Sequence, residues 1–128
     1  MALLMLLQWE TNAQICADSG NLPQQGMNAC AAWDFEQADA ELNETWAEVL
    51  AYVRETFSES PPWDDRGSGE YRLRAAQRAW ITLRDEHCTV MAFHMRGGSA
   101  EPMLYNGCRA EMTRQRTEEL RDLMLEDR

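Results

Sequence analysis

The stretch FEQADAELNETWAEVLAYVRETF, residues 35–57, decides the fold of this 128-residue chain. Its apolar residues recur at intervals of three and four, which places them on one side of a helix and most of the acidic residues on the other. The apolar positions are Phe35, Ala38, Leu42, Trp46, Val49, Val53 and Phe57. The pattern predicts an amphipathic helix of about seven or eight turns within Met27–Phe57.

A second helix is predicted on the other side of a loop. Residues 58–69 contain two prolines and two glycines, which interrupt helices. The next helical pattern runs from about Glu70 to Met95, with Ser68 as its N-cap and Gly97-Gly98-Ser99 after its end. Its predicted inward residues are Leu73, Ala76, Trp80, Leu83, Cys88 and Met91.

A third helix is predicted to begin between Ala100 and Gly107 and to continue to the C-terminus. Its apolar side comprises Met112, Leu120, Leu123 and Met124. Because no segment of useful length has the two-residue period of a strand, the predicted fold class is all-α, a three-helix antiparallel bundle.

Four cysteines allow three disulfide pairings. They are Cys16, Cys30, Cys88 and Cys108. In an antiparallel bundle the turn at Gly97-Gly98 brings Cys88 level with Cys108, and Cys16 is close to Cys30 along the chain. The sequence therefore favours Cys16–Cys30 and Cys88–Cys108, and with them a secreted or periplasmic location, because disulfides persist in oxidising compartments.

The N-terminus suggests a processed segment. Met1–Leu7 is apolar, and Thr11-Asn12-Ala13 has small residues where a signal peptidase reads them. We interpret residues 1–13 as the remnant of a signal peptide and residues 14–128 as the helical domain. The alternative is an ordinary helical turn packed on the core. The apolar run is far shorter than the roughly 20 residues that span a bilayer, so no membrane insertion is predicted.

The charge of the chain restricts its partners. There are 22 acidic residues against 12 basic ones, all arginine, for a formal net charge of −10. Such a chain is repelled by nucleic acid and attracted by a cationic protein. The expected partner is therefore a cationic protein and not a nucleic acid. The sequence contains no signal for a particular oligomeric state.

Polar residues are predicted to meet inside the bundle and to form a structural network. They are Asp39, Asn43, Gln77, Arg84, Asp85, Thr113 and Arg116. A buried arginine must be paired and hydrogen-bonded, so we expect Arg84 and Arg116 to be satisfied by Asp39, Asn43 or Gln77. The competing interpretation, Asp39 or Asp85 as a general acid or base, requires a cleft and a second titrating group.

No catalytic, cofactor or metal site is predicted. The two histidines, His87 and His94, stand seven residues apart, and there is no CxxC pair. An enzyme would also need a nucleophile beside a base, and the sequence contains no motif of that kind.

Four segments of the chain resemble a known family. They are ADAELNETW (38–46), LRAAQRAWITLRDEHC (73–88), the stretch from Gly97 through Pro102-Met103 to Cys108, and TRQRTEELR (113–121). Together they are similar to successive signatures of the LprI-like lysozyme inhibitor family, over about residues 16–125. The resemblance implies a small secreted or periplasmic helical domain with disulfides, and binding and inhibition of lysozyme. Residues 58–69 look longer, more acidic and richer in proline than the family pattern.

Two exposed segments are candidates for partner binding. One is Trp63, Asp64 and Asp65 on the long loop, and the other is Ser99 and Glu101 at the glycine turn. The resemblance implies a lysozyme inhibitor that acts by surface binding, and the acidity of this chain complements common lysozymes, which are cationic. The alternative is a periplasmic adaptor or envelope-stress protein with another partner and no catalytic activity.

Overall fold

The computed structural model describes residues 2–125. Four α-helices follow one another: α1 spans Ala2–Cys16, α2 spans Gln24–Thr56, α3 spans Gly69–Ala92 and α4 spans Glu101–Asp122. Short 3-10 turns lie at Ser19–Asn21 and Phe93–Met95. The predicted all-α class is confirmed over the described range: α2, α3 and α4 are the three long helices of the bundle, and α1 is an additional one.

Helix α4 is the central element of the bundle. Both α2 and α3 pack more extensively against α4 than against each other. The apolar core consists of Leu42, Val49, Val53, Leu73, Leu120 and Met124. Each of these side chains contributes about 1.5–3 kcal/mol by leaving water. Because α2 and α3 share α4 rather than a long interface of their own, a groove remains between them.

Both predicted disulfides are confirmed. Cys16 is bonded to Cys30 and Cys88 to Cys108, with Cα atoms 5.5 Å apart in each pair, an ordinary separation for a disulfide. The Asn28 side chain donates a hydrogen bond of 2.8 Å to the Ser99 carbonyl at the same end of the bundle. The start of α2, the end of α3 and the start of α4 are therefore tied together at one end.

The predicted inward side of the second helix is partly wrong. Leu83 is 59% exposed, Met91 is 41% exposed and Ala76 is exposed as well. Gln77 and Arg84 are buried instead. Leu73 and Cys88 are buried as predicted. Polar side chains occupy the seam between α3 and α4 because they find partners there, so hydrophobicity alone does not mark its buried side.

Helix α1 is attached to the bundle mainly near its C-terminal half. The Trp9 indole N–H donates to the Gln37 side-chain oxygen at 3.0 Å, and its ring lies 6.3 Å from that of Trp33. Its first apolar residues, Leu3 to Leu7, are each at least half exposed, so they are not packed on the core. The signal-peptide interpretation of residues 1–13 stays a prediction. No helix within residues 2–125 combines the length and the apolarity that crossing a membrane requires.

The start of α3 lies against the end of α2. The Ser68 hydroxyl accepts a hydrogen bond from the Tyr71 N–H at 3.2 Å and caps the helix as predicted. Gly69 follows, and a Cβ at this position would lie 2.7 Å from the Phe57 Cβ and 2.8 Å from the Val53 Cγ1. The close approach of the two helices therefore requires glycine.

We expect Gly69→Ala to lower the free energy of unfolding by about 1–2 kcal/mol, because the added methyl group forces α2 and α3 apart. Urea denaturation measures the change. Gly107→Ala in α4 is the matched control: its Cβ meets nothing within 4 Å, and removing a helical glycine should raise stability by about 0.5–1 kcal/mol. Equal effects at the two positions would contradict the steric argument.

Candidate functional site

Arginines and aromatic rings alternate in a partly buried series of side chains between the helices. The Arg109 guanidinium lies 4.5 Å from the Tyr105 ring centroid and 3.8 Å from that of Phe35. Arg84 continues the series, 5.2 Å from the Phe35 centroid and 5.0 Å from that of Trp80. Each ring face attracts the neighbouring cation, and the attraction strengthens where water is excluded. We call this series the arginine–aromatic stack.

Polar contacts hold the buried members of α3 in place. Arg84, 7% exposed, donates through Nε to Asp85 Oδ1 at 2.9 Å and through Nη1 to Thr113 Oγ1 at 3.4 Å. Arg116 donates through Nε to Gln77 Oε1 at 3.0 Å. These bonds bring together five of the seven residues of the predicted polar network.

Asp39 and Asn43 lie apart from those bonds. Among the hydrogen bonds of the described residues, neither side chain reaches Arg84 or Arg116. Gln77 accepts from Arg116 as predicted, whereas Arg84 is held by Asp85 and Thr113. Both residues face the groove between α2 and α3. The polar side chains of the bundle therefore form a bonded set at the α3–α4 seam and a second set that lines this groove.

The α2–α3 groove has a volume of about 300 Å³. Helix α2 contributes Asp39, Leu42, Asn43 and Trp46 to its walls. Helix α3 contributes Arg74, Gln77, Arg78, Ile81 and Arg84. Three guanidinium groups and one carboxylate thus line a groove in a chain whose formal net charge is −10. The groove therefore combines several cationic groups with an apolar wall, although the chain as a whole is acidic.

Sequence reasoning missed Arg74, Arg78 and Ile81 as members of this groove. Together with Gln77 and Arg84, they recur at three- and four-residue steps, the spacing that puts side chains on one helical face. This spacing could have identified these residues as one face of α3. What the sequence could not indicate is that α3 turns this face toward α2 while leaving a gap, because the gap depends on how both helices pack against α4.

Glu70 links the two helices at the loop end of the groove. Its carboxylate accepts hydrogen bonds from Arg54 of α2 at 2.7 Å and from Arg74 of α3 at 2.9 Å. The hydrogen bonds from Arg54 and then Arg74 hold the pKa of the Glu70 carboxyl down at about 2. Glu70 therefore stays ionised well into the acidic range.

We expect Glu70→Gln to destabilise the protein at neutral pH and to lose this effect in acid. The folded pKa lies below the unfolded value of about 4.3. The stabilising contribution is therefore complete above the unfolded value and disappears as the pH falls toward about 2. Urea unfolding of both proteins at pH 7, 4 and 2 measures the difference. A difference that stays constant with pH would show that Glu70 acts by packing alone.

The first candidate segment for partner binding lies on the long loop. Trp63 is 80% exposed, and Asp65 is exposed beside it. Asp64 is bonded to Arg66 at 2.7 Å, and the hydrogen bonds from Arg66 hold the pKa of the Asp64 carboxyl at about 2. The tryptophan and Asp65 thus remain available at the surface, whereas Asp64 helps to shape the loop.

The second candidate segment lies at the glycine turn. Gly97 has a φ of +78°, and its N–H donates to the Glu101 carboxylate at 2.9 Å. Ser99 is exposed, and its carbonyl accepts from Asn28. The 24 residues of α3 separate this turn from the long loop, a distance of about 36 Å along the helix. The structure therefore does not join the two segments into one surface.

The described residues contain no set of three or more His, Cys, Asp or Glu side chains placed to hold a metal ion. All four cysteines are in disulfides. Of the two residues considered as a general acid or base, Asp39 lines the α2–α3 groove, whereas Asp85 lies outside its lining. His87 also lies outside it.

Three comparisons place the chain among known proteins. Residues 16–120 match the family model described as Lysozyme inhibitor LprI. An uncharacterized protein of Rhizobium meliloti (strain 1021) is 48% identical over 102 residues, which cover 79% of this chain and 73% of the relative. The crystal structure of a DUF1311 family protein from Pseudomonas putida KT2440 is similar with a TM-score of 0.65 at 30% identity. That match covers 80% of this chain and 93% of the other.

Proposed function

The chain belongs to the LprI lysozyme inhibitor family, and from this membership we propose that it is a secreted or periplasmic domain that binds a cationic lysozyme through its surface and inhibits it. The two disulfides support an oxidising compartment. The observation that carries the proposal is the family match over residues 16–120. The formal net charge of −10 supports a cationic partner.

The acidic surface of α2 suits a cationic partner. Glu44, Glu48 and Glu55 are exposed, and none of them forms an ion pair within the described residues. On the neighbouring flank Asp34 and Glu41 are already paired, with Arg114 and Arg121. Unpaired carboxylates on a helix steer a cationic protein toward it and raise the association rate more than the affinity.

Trp63 is the best candidate for an anchor. It is 80% exposed at the end of the bundle where α2 terminates, so it lies toward the Glu55 end of the acidic surface. Tryptophans that enter a partner's pocket contribute a large share of the binding energy at protein interfaces. We therefore assign contact with the lysozyme to the loop end of the bundle rather than to the glycine turn.

The expected result is that micromolar purified protein lowers the turnover of a c-type lysozyme, and that added salt weakens the inhibition. We expect Trp63→Ala to weaken it about tenfold or more. The double variant E48Q/E55Q should weaken it severalfold, and E86Q/E111Q, which removes the same charge elsewhere, should have little effect. Full turnover of c-type, g-type and i-type lysozymes at low ionic strength would reject the proposal.

A further inference from the structure

The floor of the α2–α3 groove carries hydrogen-bond donors in fixed positions. The Gln77 side-chain oxygen accepts a hydrogen bond from Arg116, because a guanidinium group can only donate. The NH₂ group of the same amide therefore remains free to donate to a ligand. Arg84 is held by Asp85 and Thr113 and by the rings of Phe35 and Trp80.

These donors reach the groove surface. Gln77 and Arg84 are 9% and 7% exposed, yet both line the groove. Among the side chains that the structure describes, the one fully buried nitrogen or oxygen without a partner is Arg109 Nε. The unbonded Gln77 Nε2 and Arg84 Nη2 are therefore accessible from the groove rather than sealed inside the bundle.

Two further arginines stand at the rim. Arg74 uses Nε to bond Glu70, which leaves its terminal nitrogens unoccupied. The Arg78 guanidinium is exposed and forms no hydrogen bond or ion pair within the described part of the chain. A guanidinium group binds a carboxylate or a phosphate through two parallel hydrogen bonds. Arg74 and Arg78 at the rim can therefore bind an anion together with the donors at the floor of the groove.

The carboxylates around the groove restrict which kind of anion can bind. Asp39 also lines the groove, and Glu70 and Asp85 pair with Arg74 and Arg84 from outside it. A dianionic phosphate would be repelled by these carboxylates, whereas a singly charged carboxylate meets less repulsion. Asp39 can in turn accept a hydrogen bond from a hydroxyl or amide group of the same ligand.

The remaining wall is apolar. Leu42 is buried, Trp46 is half-buried, and Ile81 is 41% exposed. A carbon-rich part of a ligand can pack against these side chains while its polar groups face α3. A volume of about 300 Å³ suits a molecule the size of one sugar or one amino acid.

We propose that the α2–α3 groove is a binding site for a small carboxylate that also carries hydroxyl or amide groups, of the kind found in acidic amino sugars and in N-acylated amino acids. Arg78 and Arg84 bind the carboxylate, Gln77 and Asn43 orient it, and Asp39 accepts from the rest of the molecule. The site is distinct from the surface assigned to lysozyme, so either proposal can fail without the other.

Calorimetric and NMR titrations of the full chain test the site. The probes are N-acetylmuramic acid and N-acetylglutamate, with N-acetylglucosamine as the neutral match and acetate as the bare anion. We expect saturable binding of one or both carboxylate probes at millimolar concentration, with shifts of the Gln77 side-chain amide and the Trp46 indole signals. Which probe binds more tightly identifies the source of the ligand. Absence of saturation by both, or equal effects of N-acetylglucosamine or acetate, would overturn the proposal.

A pair of variants separates the site from general electrostatics. Arg78→Gln should weaken binding about tenfold or more while leaving the melting temperature unchanged, since the Arg78 guanidinium has no partner within the described residues. Arg96→Gln removes the same charge beyond the far end of α3 and should change affinity by less than about twofold. Equal losses in the two variants would also overturn the proposal.

Discussion

Replacing Cys88 and Cys108 with alanine together is expected to lower the free energy of unfolding by about 3 kcal/mol or more. The bond closes a loop with a sequence separation of 20 residues, and losing that constraint in the unfolded chain accounts for about 3 kcal/mol. Cys88 is fully buried, so the lost sulfur contacts add to the cost. Thermal and urea unfolding measure the change, which corresponds to a drop of roughly 10 °C in Tm.

The Cys16–Cys30 bond provides the matched control. It has a similar separation of 14 residues, but it joins the bundle to α1, which is largely exposed over its first half. Replacing Cys16 and Cys30 with alanine should therefore release α1 and change the unfolding of α2, α3 and α4 by less than half as much. Equal losses in the two double variants would show that α1 unfolds together with the bundle.

Arg84→Ala is expected to cost about 3 kcal/mol. The substitution removes a buried side chain from between the rings of Phe35 and Trp80, deletes the bond to Thr113, and leaves Asp85 without its cation. Asp85 is 38% exposed at its side chain and can be rehydrated, so most of the loss comes from packing and from the stack.

Two other substitutions test the cause of that loss. Arg84→Met keeps a long unbranched side chain between the rings, and replacing a buried ion pair with a well-packed apolar residue is often close to neutral. We expect it to recover most of the stability that alanine loses. Arg78→Ala on the exposed side of α3 should change the free energy of unfolding by less than about 0.5 kcal/mol. If Met proves as costly as Ala, the charge of Arg84 and not its packing is what the bundle requires.

The helices were predictable because their signals are local. The spacing of Ala38, Leu42, Val49 and Val53 identifies the buried side of α2, and all four are buried. The Ser68 cap and the position of the glycine turn can also be predicted from short stretches of sequence. The Cys88–Cys108 pairing followed from the antiparallel register at the glycine turn, and the Cys16–Cys30 pairing followed from their closeness along the chain.

The buried side of α3 was not predictable in the same way. Leu83 carries the apolar side chain that marks a core position, yet it is 59% exposed, and Arg84 beside it is buried. The arginine is tolerated because Phe35 arrives from α2 and Thr113 from α4. Such partners come from distant parts of the sequence, so a pattern within one helix cannot reveal them. The groove escaped prediction for the same reason.

Both disulfides lie at one end of the molecule, whereas at the other end α2 and α3 are held by the connecting loop and by reversible contacts, such as the Arg54–Glu70 ion pair and the packing of Gly69 on Val53. Because these contacts can open without breaking a covalent bond, we expect separation of α2 from α3 to start at residues 50–56 and 69–75. In heavy water, amide protons of those segments should be replaced by deuterium before the protons of 28–35 and 86–92. On gradual heating, we expect order to be lost first near the loop and last near the cystines.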